Sequence, residues 1–220
     1  MSQMERSIEV TSRLNYLLAF PQGFEANKHG APSHDGWPLI IFLHGAGERG
    51  ADLEQVKKHG IAKRLEEGLQ LDAIVASPQC PADSWWTIEL SALNGLLDHL
   101  LATYTIDTNR IYLTGLSMGG FGTWTWALAR QNTFAALAPI CGGMAMPTPF
   151  VTQLASTPIW AFHGAKDPVV PLSSQSELVA ALQASDGNIR FTVYPEAEHD
   201  SWTVTYEDPR FYQWLFAQSR

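Results

Sequence analysis

Gly115-Leu116-Ser117-Met118-Gly119-Gly120 is a GxSxG stretch set between a β-type run, residues 111–115, and a helix-type stretch that begins at Phe121. Strand, sharp turn and helix in that order are the setting in which a serine hydroxyl stands exposed at the end of a sheet. Gly115 and Gly119 lack side chains where strand and helix must approach around the turn. The alternative is a glycine-rich turn whose serine caps a helix. With a strand before and a helix after, Ser117 reads as a nucleophile.

A serine needs a base, and the base an orienting acid; around such an elbow they follow in the chain order Ser, Asp or Glu, His. Asp167, in FHGAKDPVVP, comes after one apolar run, and His199, in PEAEHDSW, after the last. Asp186 falls in a turn after a helix, at the opposite edge. Asp200 directly follows the histidine and cannot easily reach around to its imidazole. His44 and His163 precede glycines at strand ends, and His29, His34, His59 and His99 lie in loops or helices elsewhere. The expected chemistry is acyl transfer: His199 takes the Ser117 proton and returns it to the leaving group, Asp167 fixes the imidazole, and water releases the acyl-enzyme. An ordinary imidazole titrates near about 6.5, so activity should rise from acid toward neutral pH.

The stretch FLHGAGERG, residues 42–50, matches GxGxxG by letter. A dinucleotide site would also need an acidic residue about 20 positions on, at the end of the next strand. Asp72 instead precedes its strand, and Glu48 sits where a pyrophosphate would approach. The loop fits better as half of an oxyanion hole, which in this architecture pairs the N–H after the nucleophile with one from this loop. These donors are Met118 and Ala46. For Glu48 and Arg49, an ion pair pinning the loop and plain solvation both remain open.

Apolar β-type runs alternate with helix-type stretches, the pattern of a mostly parallel sheet covered on both faces. The runs are residues 39–43, 73–77, 110–116, 135–141, 158–163 and 189–194. Helices are expected near 52–68, 90–103, 118–131, 173–185 and 209–218. Ahead of them, 8–11 and 15–20 read as an antiparallel pair opening the sheet, which makes eight strands. Ligands collect at the carboxyl ends of strands in such sheets, where His44, Ser117, Asp167 and His199 all fall. One domain over 1–220 is expected, and the irregular stretch 142–157 is too short for a separate cap domain. Trp85, Trp86 and Trp202 are expected at the rim of the site, with loop packing as the other reading, whereas Trp124, Trp126 and Trp160 belong to the core.

The chain is 45% hydrophobic and 16% charged, with a net charge of -8, a balance that suits a packed globule and argues against a polyanion partner such as nucleic acid. No apolar run approaches the roughly 18 residues of a spanning helix, so membrane insertion is not expected. The first ten residues include Glu5 and Glu9 where an export signal would need a basic start and an apolar run, and a cytoplasmic setting is expected. Cys80 and Cys141 form no CxxC and read as small buried fillers. The histidines show no HExxH, so no metal is expected.

The segments PLIIFLHGAGERG, SPQCPADSWW, IDTNRIYLTGLSMGGFGTW, PIWAFHGAKDPVVP and AEHDSW together resemble the α/β-hydrolases, within them the phospholipase/carboxylesterase and poly(3-hydroxybutyrate)-depolymerase-like esterases. The resemblance covers nearly the whole chain. It implies a serine esterase with no metal or organic cofactor, with Ser117, Asp167 and His199 as triad and Ala46 and Met118 as oxyanion donors. A small soluble ester is the substrate expected; peptidase and acyl-protein thioesterase activity are the neighbouring alternatives, and a ligand-binding protein without catalysis a more distant one. Nothing in the sequence indicates an oligomeric state.

Overall fold

The computed structural model describes residues 13–24, 36–144, 146 and 148–220. Seven strands form one sheet: β1 (Asn15–Ala19), β2 (Trp37–Leu43), β3 (Ile74–Gln79), β4 (Ile106–Leu116), β5 (Ala136–Ile140), β6 (Ile159–Gly164) and β7 (Ile189–Tyr194), in the order β1-β3-β2-β4-β5-β6-β7. All neighbours are parallel except β1 with β3, where Leu17 lies opposite Ser77. The expected strand at 8–11 falls outside the described residues, so seven strands rather than eight are counted. β1 is placed by β3, its antiparallel partner among the described residues.

The unbroken apolar character of β2 follows from burial on both sides. Leu39, Ile41 and Leu43 join one cluster, with residues of α2 (Leu90–Thr103), α3 (Met118–Ala129) and α4 (Ser173–Gln183). Ile40 and Phe42 join the other, beneath α1 (Gly60–Glu66), α5 (Trp202–Glu207) and α6 (Pro209–Phe216). The sheet is therefore covered on both faces, as an α/β-hydrolase requires. Among the described residues, no helix is long and apolar enough to cross a membrane.

Two elements differ from the periodicity. The helix expected near 52–68 is a 3-10 segment, Leu53–Lys58, followed by α1. The two part at Gly60, which takes φ +66 against the Phe42 ring; an added Cβ would lie 2.2 Å from its Cζ. α5, too short for its periodicity to stand out, begins three residues after His199. Between β5 and β6, where no cap domain was expected, the described residues form the 3-10 helix Thr148–Leu154.

Candidate active site

Ser117 joins β4 to α3 with φ 51 and ψ -115, a conformation that costs a non-glycine residue on the order of 1–3 kcal/mol. The surrounding backbone imposes it. The Ser117 N–H donates to the Ile140 carbonyl at 2.9 Å, and a Cβ on Gly119 would lie 1.9 Å from the Leu43 oxygen. A Cβ on Gly115 would meet the Gly119 oxygen at 2.4 Å. Glycine at both positions lets the first turn of α3 press against the ends of β2 and β4, which thrusts the serine outward.

His199 Nε2 lies 3.0 Å from Ser117 Oγ, and its Nδ1 lies 2.8 Å from Asp167 Oδ2. A carboxylate can only accept, so Nδ1 carries the hydrogen and Nε2 accepts from the serine hydroxyl. The other Asp167 oxygen accepts the N–H groups of Val169 and Val170 at 2.8 and 2.9 Å. Burial pushes the Asp167 carboxyl up, but the hydrogen bonds from His199, Val170 and Val169 outweigh it and hold it below the usual aspartate value. His163 stands behind this carboxylate. Its Nε2 donates to the Val170 carbonyl at 2.9 Å and lies 3.4 Å from Asp167 Oδ2, and burial lowers its pKa.

The loops bearing Asp167 and His199 are tied backbone to backbone. Ala165 N–H donates to the Tyr194 carbonyl at 2.9 Å and Lys166 N–H to that of Ala197 at 3.0 Å. A Cβ on Gly164 would lie 2.0 Å from the Glu198 oxygen, so this glycine permits the approach. The His199 ring meets Trp202 edge to face, centroids 5.3 Å apart.

Ala46 and Met118 are the first residues of a 3-10 helix, Ala46–Glu48, and of α3. N–H groups at that position have no acceptor within their own helix. His44, fully buried, organises the first of these turns. The Cys80 N–H donates to its Nε2 at 3.0 Å, so Nδ1 carries the hydrogen and donates to the Gly45 carbonyl at 2.6 Å. Burial drives its pKa down to about 4, which keeps the ring neutral. The Trp86 indole N–H donates to the His44 carbonyl at 2.9 Å.

Glu48 and Arg49 part company, and among the described residues no ion pair joins them. Arg49 Nε donates to the Ala46 carbonyl at 2.9 Å and Nη1 to that of Ser84 at 3.3 Å, and its guanidinium stands 5.2 Å from the Trp85 ring centroid. Glu48 turns inward, 5% exposed, with carboxylate oxygens 3.8 Å from His44 Nδ1 and 3.9 Å from His59 Nε2. Burial raises its pKa against the pull of His59 and the Gly45 amide.

Of the three tryptophans expected at the rim, Trp85 is exposed and Trp202 partly exposed beside His199. Trp86 is a correction: it is 0% exposed, held by the His44 carbonyl and packed over Gly122, where a Cβ would lie 2.5 Å from its own. Its face is therefore not open to a substrate. Trp124, Trp126 and Trp160 are buried. His44 and His163 are read from the sequence only as strand-end residues; the glycine after each, which lets the chain turn beside a buried ring, is the signal of their buried role.

The phospholipase/carboxylesterase family matches residues 87–210, more than half the chain, and the protein belongs to that family. A thermostable esterase of known structure superposes with a TM-score of 0.78 at 35% identity, over 94% of this chain and 60% of that one. Probable feruloyl esterase C of Aspergillus oryzae is 27% identical over 180 residues, 78% of this chain and 62% of the relative. The bifunctional acetylxylan esterase/xylanase XynS20E of Neocallimastix patriciarum is 31% identical over 140 residues, 60% of this chain and 20% of the relative. The chain thus spans from a fifth to about three fifths of the length of these two relatives.

Proposed function

We propose that the protein is a serine carboxylesterase that hydrolyses small carboxylic esters through Ser117, His199 and Asp167. The observation that carries this reading is the unbroken relay from Ser117 Oγ through His199 to Asp167, at 3.0 and 2.8 Å, on a partly exposed serine held in a strained turn. Ser117 Oγ attacks the ester carbon as His199 Nε2 takes its proton. Asp167 holds the Nδ1–H and stabilises the imidazolium, which then protonates the departing alkoxide. The Ala46 and Met118 N–H groups receive the charge that develops on the carbonyl oxygen, where one donor is typically worth about 3 kcal/mol. Water, activated by the same imidazole, frees the acid. No step uses a metal or an organic cofactor.

Hydroxycinnamoyl and acetyl esters are the first natural groups to try, because feruloyl and acetylxylan esterases stand among the relatives. Exposed Trp85 and the Trp202 edge offer flat apolar surface for an aromatic acyl group or alcohol. A cytoplasmic setting is supported by two free, buried thiols, and the net charge of -8 speaks against nucleic acid as a partner.

The test is labelling by a fluorophosphonate, then hydrolysis of a panel of esters, thioesters and anilides by wild type and Ser117→Ala. Labelling and ester turnover that vanish in Ser117→Ala are expected. Labelling untouched by that substitution sinks the mechanism, and anilides cleaved faster than matched esters make the protein a peptidase.

A further inference from the structure

Cys141 lies one residue beyond β5, with its amide bonded to the Phe162 carbonyl at 2.8 Å. It takes φ 39, in the left-handed region that a side chain enters only where the surroundings impose it. This backbone puts the thiol behind the catalytic relay. One ligand atom each from Cys141, Asp167 and His199 lie within 4.8 Å of one another, and the proposed chemistry does not use the sulfur, which is buried in the core beneath the relay.

We propose that Cys141, Asp167 and His199 form a binding site for zinc, and that zinc bound there arrests hydrolysis. Inhibition rests on the esterase reading given above; binding does not. Sulfur, imidazole nitrogen and carboxylate oxygen are a donor set that zinc accepts, with a fourth tetrahedral position left to water. Magnesium and calcium, which require oxygen ligands, are poorly served by a thiolate. Zinc–ligand distances of about 2.0–2.3 Å require the sulfur to draw closer while His199 Nδ1 and Asp167 Oδ2, 2.8 Å apart, part to admit the ion, and the His199 side chain, 20% exposed, offers both the freedom and the route of entry.

The protons balance simply. The thiol gives one proton to solvent as the sulfur–zinc bond forms. His199 shifts its hydrogen from Nδ1 to Nε2 as Nδ1 takes the metal in place of Asp167, while the Asp167 oxygen becomes a ligand. Nothing is oxidised or reduced. With Nε2 now protonated, the ring cannot accept the Ser117 proton, and the first step stops.

The experiment titrates zinc(II) into wild type, Cys141→Ala, Cys141→Ser and Cys80→Ala, following p-nitrophenyl acetate hydrolysis relative to each protein's own zinc-free rate. Thermal melts check that each variant is folded, and the near-isosteric serine covers the case in which alanine is not. In parallel, zinc binding to Ser117→Ala, which needs no turnover, is read by competition with a chromophoric chelator. One zinc per chain is expected, with inhibition of wild type and Cys80→Ala that EDTA reverses. Both Cys141 variants should need at least about tenfold more zinc, since even outer-shell partners of a metal typically contribute that much. Absence of zinc binding at millimolar concentration, equal sensitivity of the Cys141 variants and wild type, or loss of inhibition in Cys80→Ala overturns the proposal. If Ser117→Ala hydrolyses esters as fast as wild type, the esterase reading fails while zinc binding by that variant still stands.

Discussion

His44 Nε2 accepts the Cys80 amide hydrogen at 3.0 Å, and this fixes what the other side of the ring can do: Nδ1 must donate, and it does so to the Gly45 carbonyl at 2.6 Å. In a trans peptide the carbonyl and the next N–H point in opposite directions. Holding the Gly45 oxygen against His44 therefore turns the Ala46 N–H away from the ring, and the residue just after β3 reaches the Ala46 loop through one buried imidazole. His44→Leu should lower kcat by roughly 10²-fold, the loss typical of a displaced oxyanion donor, with a much smaller change in KM. It should also cost about 1–3 kcal/mol of stability, because the Cys80 N–H is left buried without a partner. Steady-state kinetics and urea melts check both; wild-type kcat in His44→Leu would show that the loop holds itself.

The same imidazole makes stability depend on pH. Burial lowers the His44 pKa from 6.5 to about 4, so between those values the unfolded chain binds more protons than the folded one. Stability therefore rises with pH in this window. The contribution is fully present above about 6.5, shrinks as pH falls, and is gone near 4, amounting to about 3 kcal/mol as an order of magnitude. His163, also lowered by burial, acts in the same direction, whereas Glu48, raised by burial, opposes both histidines, since it binds more protons folded than unfolded. Asp167, held below its ordinary 3.8, contributes stability that is present above that value and lost as pH falls through its lower folded pKa. Urea midpoints measured from pH 8 to 4 should fall, and His44→Gln should flatten the curve between 6.5 and 4. An identical slope in the variant would assign the pH dependence to other groups.

The relay was legible in the sequence because each member ends a strand and the chain order is fixed by topology. Ser117, Asp167 and His199 could be ranked above Asp186 and Asp200 without any distance. What could not be read was the packing behind them. Trp85 and Trp86 are adjacent letters, yet one is exposed and the other fully buried, since successive positions in an irregular loop carry no fixed facing. For Glu48 and Arg49 the sequence left an ion pair and plain solvation both open, whereas the 3-10 turn sends the acid inward and the base outward. His44 and His163 stand before glycines at strand ends, and their buried contacts with main-chain groups leave no spacing pattern. At the sheet's leading edge, β1 was legible as a strand, and its pairing with β3 was not, because register there depends on a segment distant in sequence.

Glycine contacts give a graded test of how the loops are assembled. Gly164→Ala places a methyl 2.0 Å from the Glu198 oxygen, and Gly119→Ala places one 1.9 Å from that of Leu43; both neighbours are backbone, which yields little. Gly47 has nothing within 4 Å of an added Cβ. Gly164→Ala should therefore separate the Asp167 and His199 loops and reduce kcat by more than about tenfold, within the range that a displaced general base allows. Gly119→Ala should disturb the nucleophile turn at least as much, and Gly47→Ala should leave the melting temperature near that of wild type. Equal behaviour of all three in kinetics and thermal melts would refute this account.

Arg49 tests whether the rim and the Ala46 loop are separable. Its Nε and Nη1 hold the carbonyls of Ala46 and Ser84, while its guanidinium carbon stands over the ring of exposed Trp85. A lysine keeps the charge but cannot donate to two carbonyls from one planar fork. Arg49→Lys should therefore lower kcat by roughly tenfold, the scale of one charge-assisted hydrogen bond at about 1.5 kcal/mol. Trp85→Ala, which leaves both carbonyl contacts in place, should instead raise KM for aromatic esters and leave kcat on p-nitrophenyl acetate near wild type. The single and double variants together decide between two arrangements. Wild-type kcat in Trp85→Ala means that the guanidinium clamps the loop independently of the ring, whereas a kcat lowered as far as in Arg49→Lys, with no further loss in the double variant, means that Trp85 reaches the chemistry by holding the guanidinium in place.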